Sequence, residues 1–160
     1  MAAAVLVIAP AVAAVAVAPA ADAAPTAWNG NYSMVTYASQ KGGTSVANRQ
    51  RENDFGATFT LSTSCATGVC IATANGPGSS NPTVPSPARF TWDGEQWKTM
   101  YEWVWQCSLG DGGTSQWSPA TSFTFYAPQP DGSLRGMWHT DIASGPCRGS
   151  VVMPVAAFPA

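Results

Sequence analysis

Apolar and polar side chains alternate with a period of two along most of the chain, most clearly between Ala88 and Cys107. In that stretch, ARFTWDGEQWKTMYEWVWQC, an Asp93-Gly94 pair separates two alternating runs, the pattern of a β-hairpin. The odd positions of the second arm, Trp97, Tyr101, Trp103, Trp105 and Cys107, share one face, and Lys98, Met100, Glu102, Val104 and Gln106 share the other. Phe55 to Ser64 alternates as cleanly, with Phe55, Ala57, Phe59 and Leu61 on the face expected to enter the core.

The same reading predicts strands from Trp28 to about Tyr37, Val69 to Ala74, Ser115 to Ala127, Leu134 to Ile142 and Arg148 to Phe158. Phe123 and Phe125 share a face of the third of these candidates, and Leu134, Gly136, Trp138, Thr140 and Ile142 share a face of the next. Between strands, Ser39 to Asn53 is polar, and the stretch from Asn75 to Pro87 holds four prolines, which excludes a central strand. Gly110 to Gly113 and Pro128-Gln129-Pro130-Asp131-Gly132-Ser133 are turns by their own chemistry. The expectation is an all-β fold of about eight antiparallel strands, a barrel or a sandwich with mostly next-neighbour connections. Closure into a barrel is favoured, because a chain with so few charges has little else to protect a free edge.

The 160 residues divide into two parts. Met1 to Ala23 is almost entirely Ala and Val and ends in Ala21-Asp22-Ala23, a small-residue cleavage pattern, so residues 1–23 are read as a secretory signal peptide and 24–160 as one domain. No Lys or Arg precedes the apolar run, which leaves a start upstream of Met1 open. Pro10 and Pro19 make the run a poor permanent span, so the mature chain is expected outside the cytoplasm and not integral to the membrane.

Four cysteines in an exported chain suggest two disulfides. The short spacing of Cys65 and Cys70 suits a bridge at a hairpin tip, leaving Cys107 to join Cys147. Zinc is the competing use, but zinc-binding pairs sit two to four residues apart and the second pair is scattered, so neither metal nor cofactor is expected. The formal charge is −2 with 10% charged residues and no basic cluster, which argues against nucleic acid.

Ser64 to Thr73, Phe90 to Trp97, Cys107, Pro128 to Gly136, Cys147 to Ser150 and Met153 to Ala157 form an ordered set. That set resembles a mycobacterial family of small secreted proteins, and similar domains form the extracytoplasmic part of some mycobacterial membrane serine/threonine kinases. The cysteine order and the Pro-Gln-Pro-Asp-Gly turn carry most of the resemblance. It implies an exported, disulfide-linked module of sensor or interaction type, and it implies no catalytic residue. Unlike those kinases, these 160 residues contain no kinase domain and no internal membrane span.

His139 is the only histidine and the sole candidate for imidazole chemistry, with Asp141 beside it. No nucleophile elbow accompanies it, and it alternates outward if Trp138 points inward. Asp93, Glu95, Glu102 and Asp141 supply no evident carboxylate pair. The expectation is therefore a non-catalytic binding module for an unidentified ligand or envelope partner. The alternatives are a lipid- or glycan-binding barrel with tryptophans at its mouth, and a hydrolase using His139. The candidate ligand-binding residues are Trp97, Tyr101, Trp103 and Trp105. If Cys107 bridges Cys147, that face is tied inward and is chiefly core, and any functional value would rest on the rings at the Trp97 end, away from the bridge.

Overall fold

The computed structural model describes residues 27–66, 68–110 and 113–160, and the leader expected at residues 1–23 lies outside them. Eight strands follow in order: β1 (Gly30–Thr36), β2 (Phe55–Ala66), β3 (Val69–Asn75), β4 (Ala88–Trp92), β5 (Trp97–Cys107), β6 (Gln116–Pro128), β7 (Leu134–Ile142) and β8 (Gly149–Pro159). Each pairs antiparallel with the next, and β8 returns to β1 from Tyr32 opposite Pro159 to Thr36 opposite Val155, so the sheet is a closed barrel. Closure leaves no free sheet edge and resolves the choice between barrel and sandwich.

The period-two pattern decides which side chains enter. Leu61 on β2, Ala72 and Ala74 on β3, Phe90 on β4 and Trp97 on β5 are buried, while their sequence neighbours face out. On β7 the face of Leu134, Gly136, Trp138, Thr140 and Ile142 is the inner one, as its pattern predicts. Gly136 is required there. A Cβ at this position would lie 1.6 Å from the Phe125 carbonyl oxygen, so only glycine lets β7 approach β6 this closely in a tightly curved wall.

Cross-strand register stacks the inner side chains in layers. Trp97, Tyr126, Gly136 and Val155 share one level; Thr99, Thr124, Trp138 and Met153 share the next; Tyr101, Ser122, Thr140 and Val151 share the third. At one end, a cluster around Trp28, Phe90, Trp97 and Tyr126 fills the barrel, with Trp28 laid across the opening 5.2 Å from both Phe90 and Tyr126. The other end holds Ala120, Ile142, Val151 and Met153 with the buried Cys107 and Cys147. Two 3-10 turns, Ala38–Gln40 and Val46–Arg49, close that end by inserting Ala38 and Ala47. Ser45 fixes the second turn: its Oγ donates to the Cys147 carbonyl at 2.6 Å and accepts from the Ala47 N–H at 3.1 Å.

The β4–β5 hairpin departs from its sequence pattern. Asp93 nucleates the turn, its Oδ1 accepting the Glu95 and Gln96 N–H groups at 3.0 and 2.9 Å. Lys98 beside it, with those two N–H groups, holds its carboxyl far below the usual carboxylate range. The arms nevertheless pair only at Thr91 with Lys98 and Trp92 with Trp97. Pro87, which has no N–H to donate, stands just before β4 and limits that strand to five residues, and eleven-residue β5 has no β4 partner beyond Lys98. Side chains from the 76–87 loop take over farther along: Asn81 Nδ2 donates to the Val104 carbonyl at 2.8 Å, and the Val104 N–H donates to Thr83 Oγ1 at 3.0 Å.

Both disulfides form as the spacing predicts, Cys65 with Cys70 at a hairpin tip and Cys107 with Cys147 between β5 and the approach to β8. Their sequence separations of 5 and 40 residues give them unequal weight, because the longer loop removes more freedom from the unfolded chain. Replacing Cys107 and Cys147 together by Ala is expected to destabilise the chain by about 4 kcal/mol, against about 2 kcal/mol for Cys65 with Cys70. Urea unfolding of the two double variants measures both values, and equal losses would contradict the loop argument.

Candidate functional site

Small side chains in the middle layers leave the barrel unfilled at its waist. Thr99, Ser122, Thr124, Thr140 and Gly136 occupy inner positions where the end clusters have rings and branched aliphatics. An eight-stranded barrel is just wide enough to be filled by side chains or to hold one small ligand, so this substitution of small for large decides the outcome. A cavity of about 340 Å³ results, reaching from the seam between β4 and β5 to the inner faces of β6, β7 and β8. Pro87, Arg89 and Met100 stand at its mouth; Phe90, Tyr126, Trp138 and Val155 form apolar walls; Thr99, Tyr101 and Thr124 supply hydroxyls. Its position follows from the parting of β4 and β5 after Thr91 and Lys98, since Phe90 and Thr99 would form the next cross-strand pair, and Arg89 and Met100 the one after, and neither forms.

The polar groups of the waist fall into two sets. Trp103 Nε1 donates to Ser122 Oγ at 2.8 Å, and Ser122 Oγ lies 2.7 Å from Thr140 Oγ1, a satisfied chain behind the cavity. Tyr101 reaches toward the same serine. Burial pushes its phenol up, offset in part by Ser122 and by the nearby indole of Trp138. The Trp138 N–H is itself buried and does not reach hydrogen-bonding geometry with any described group. In contrast, the hydroxyls of Thr124 and Tyr126 on the cavity wall make no hydrogen bond among the described residues. Tyr126 is buried, and that burial, with the neighbouring Tyr101 as a smaller contribution, raises its phenol well above the ordinary tyrosine range.

The four residues nominated from the sequence separate in space. Tyr101 lines the cavity. Trp103 and Trp105, with rings 5.5 Å apart, pack against the cluster around the Cys107–Cys147 bridge. Trp97 is 0% exposed and wedged against Trp28 and Trp92, so the Trp97 end of β5 is core and not an open aromatic surface. Trp28, which lies across that end of the barrel, covers the rings there. The exposed tryptophan is Trp117, and the outer wall carries Met100, Phe123 and Phe125. Thr124, Tyr126 and Arg89 were not nominated. The parity of β6 was the available signal, because with Phe123 and Phe125 outward Thr124 and Tyr126 must point in.

His139 faces outward, its Nε2 2.9 Å from Asp141 Oδ1, both side chains open to solvent. No described serine or threonine hydroxyl bonds to it, and its neighbours across the sheet are Phe123 and Val152. Among the described residues no group of His, Cys, Asp and Glu is arranged to hold a metal ion, and no helix is long and apolar enough to cross a membrane.

The family described as the PknI serine/threonine-protein kinase sensor domain matches residues 24–159. The monomer form of the M. tuberculosis PknI sensor domain superposes with a TM-score of 0.63 at 20% sequence identity, over 86% of this chain and 90% of that one, a likeness of fold. The dimer form of the M. tuberculosis PknI sensor domain gives a TM-score of 0.41 at 22% identity, over 64% of this chain and 69% of that one. No curated protein sequence matches the chain.

The enclosed phenol sets a pH dependence. Because the folded pKa of Tyr126 is raised, the unfolded chain loses this proton first, so stability is complete below the ordinary tyrosine pKa and falls as pH rises beyond it. Urea midpoints are expected to hold up to about pH 10 and to drop progressively above it. Tyr126→Phe should flatten much of that drop, leaving the smaller contribution of Tyr101; a profile unchanged by the substitution would contradict the assignment.

Proposed function

The chain belongs to the PknI serine/threonine-protein kinase sensor domain family, and from that membership we propose that it is a non-catalytic binding module that admits a small ligand through the β4–β5 seam. The observation that carries this reading is the cavity at the barrel waist, which joins an opening in the wall to an interior of aromatic walls and unpartnered hydroxyls. A volume of about 340 Å³ lies at the lower end of the range of small-molecule sites, and apolar walls with a few convergent polar groups are their usual chemistry. Tyr101 is the sequence-nominated residue that enters the site directly, while Trp97, Trp103 and Trp105 brace the wall around it.

Two disulfides support an oxidising compartment, and the Ala- and Val-rich leader at residues 1–23 supports export by a cleaved signal peptide. The place we assign is the mycobacterial envelope or the medium beyond it, which also rests on the motif resemblance of the cysteine order and the Pro-Gln-Pro-Asp-Gly turn. The non-catalytic reading is supported by His139, which sits with Asp141 on the outer wall and contacts neither the cavity nor a described nucleophile.

Thr99→Phe tests the site, because an inward ring at this layer occupies the waist. Small apolar and aromatic compounds that raise the melting temperature of the native chain are expected to leave that of Thr99→Phe unmoved, whereas the variant alone stays folded since it fills existing space. Equal protection of both chains would place binding elsewhere and defeat the reading.

A further inference from the structure

If the waist cavity is a ligand site, the chemistry of its three zones narrows the occupant. The mouth is a slit between two strand edges that part after Thr91 and Lys98. The β5 backbone groups at even positions point toward this slit, since the N–H and C=O of Val104 are both taken by side chains of the 76–87 loop. A slit one strand-gap wide admits a flat body more readily than a bulky one, and the rings of Phe90, Tyr126 and Trp138 provide faces for it to stack on.

The inner end is polar. Thr124 is 7% exposed and Tyr126 4%, at successive inward positions of β6, and neither hydroxyl has a partner among the described residues. Both hydroxyls open onto the cavity rather than being sealed into the wall, so side by side they present donors and acceptors to an oxygen placed there. The outer end is cationic. Arg89 is exposed at the mouth, is the one charged residue on the cavity lining, and has no carboxylate partner among the described residues. Lys41 and Lys98 are held by Glu52 and Asp93 instead.

We propose that the cavity takes a planar aryl carboxylic acid bearing a hydroxyl or carbonyl oxygen at the end of the ring system remote from the carboxylate. The oxygen meets Thr124 and Tyr126, the ring stacks between Phe90, Tyr126 and Trp138, and the carboxylate stays at the mouth on the Arg89 guanidinium. A fatty acid satisfies Arg89 but lays its methyl end against the two hydroxyls. A neutral sugar satisfies the hydroxyls but leaves Arg89 without an anion.

The test is isothermal titration of the oxidised chain with four probes: 4-hydroxycinnamate, cinnamate, methyl 4-hydroxycinnamate and decanoate. The first is expected to bind most tightly, with loss of the ring oxygen or of the charge each weakening binding by about tenfold. Arg89→Gln should erase the difference between the acid and its methyl ester while the ester binds as before. Thr124→Val combined with Tyr126→Phe should erase the difference between 4-hydroxycinnamate and cinnamate. Each variant is read against a second probe on the same protein, so a general loss of folding cannot imitate either result. Decanoate binding more tightly than 4-hydroxycinnamate, or the acid and ester binding the native chain equally, would overturn the ligand class. If Thr99→Phe still blocks other compounds, the site survives and only the class is lost; if no compound is sensitive to Thr99→Phe, both fall together.

Discussion

Closure of the sheet is the constraint on which the rest of the molecule depends. Once β8 pairs with β1, every strand must send alternate side chains into a space of fixed width, and no layer can widen to suit its residues. Interior positions therefore compete for one volume. At the Trp28 end the competition is won by rings, and at the Cys107–Cys147 end by branched aliphatics and a buried disulfide. Between them, threonine, serine and glycine are too small to reach the axis, and the waist stays hollow.

A second constraint acts on the wall. β4 and β5 part after Thr91 and Lys98 while β5 continues to Cys107, so the sheet is hydrogen-bonded all the way round at one height and parted at another. The part in the wall coincides with the hollow layer because pairing stops at Thr91 and Lys98, and Phe90 and Thr99, one step on, line the cavity. Neither feature alone makes a site. A hollow waist behind an intact wall would be a sealed void, and a parted seam in front of a filled core would be a surface groove.

The fold was largely legible. Alternation gave the strands to within two residues, turn chemistry gave the Asp93-Gly94 and Pro128 to Ser133 reversals, and spacing gave both cysteine pairs. The site was legible only in Tyr101. Trp97 misleads because alternation assigns it to a face, while its depth depends on Trp28, nearly seventy residues away and laid over it by barrel closure. His139 reads correctly as an outward strand residue, since parity with Trp138 is a local property.

What the sequence determines by itself about this protein is local: period, turns, cysteine pairing, and the family whose motifs it carries. Period, turns and the Cys65–Cys70 pair depend on residues close together in the chain, whose chemistry acts before any tertiary contact forms, and the Cys107–Cys147 pair follows as the remainder. The tertiary structure alone decides that the sheet closes, which height of the barrel is hollow, and where the wall opens onto it. Cavity volume is a difference between the space that eight strands enclose and the side chains that enter it, and that difference exists only once all eight are in register.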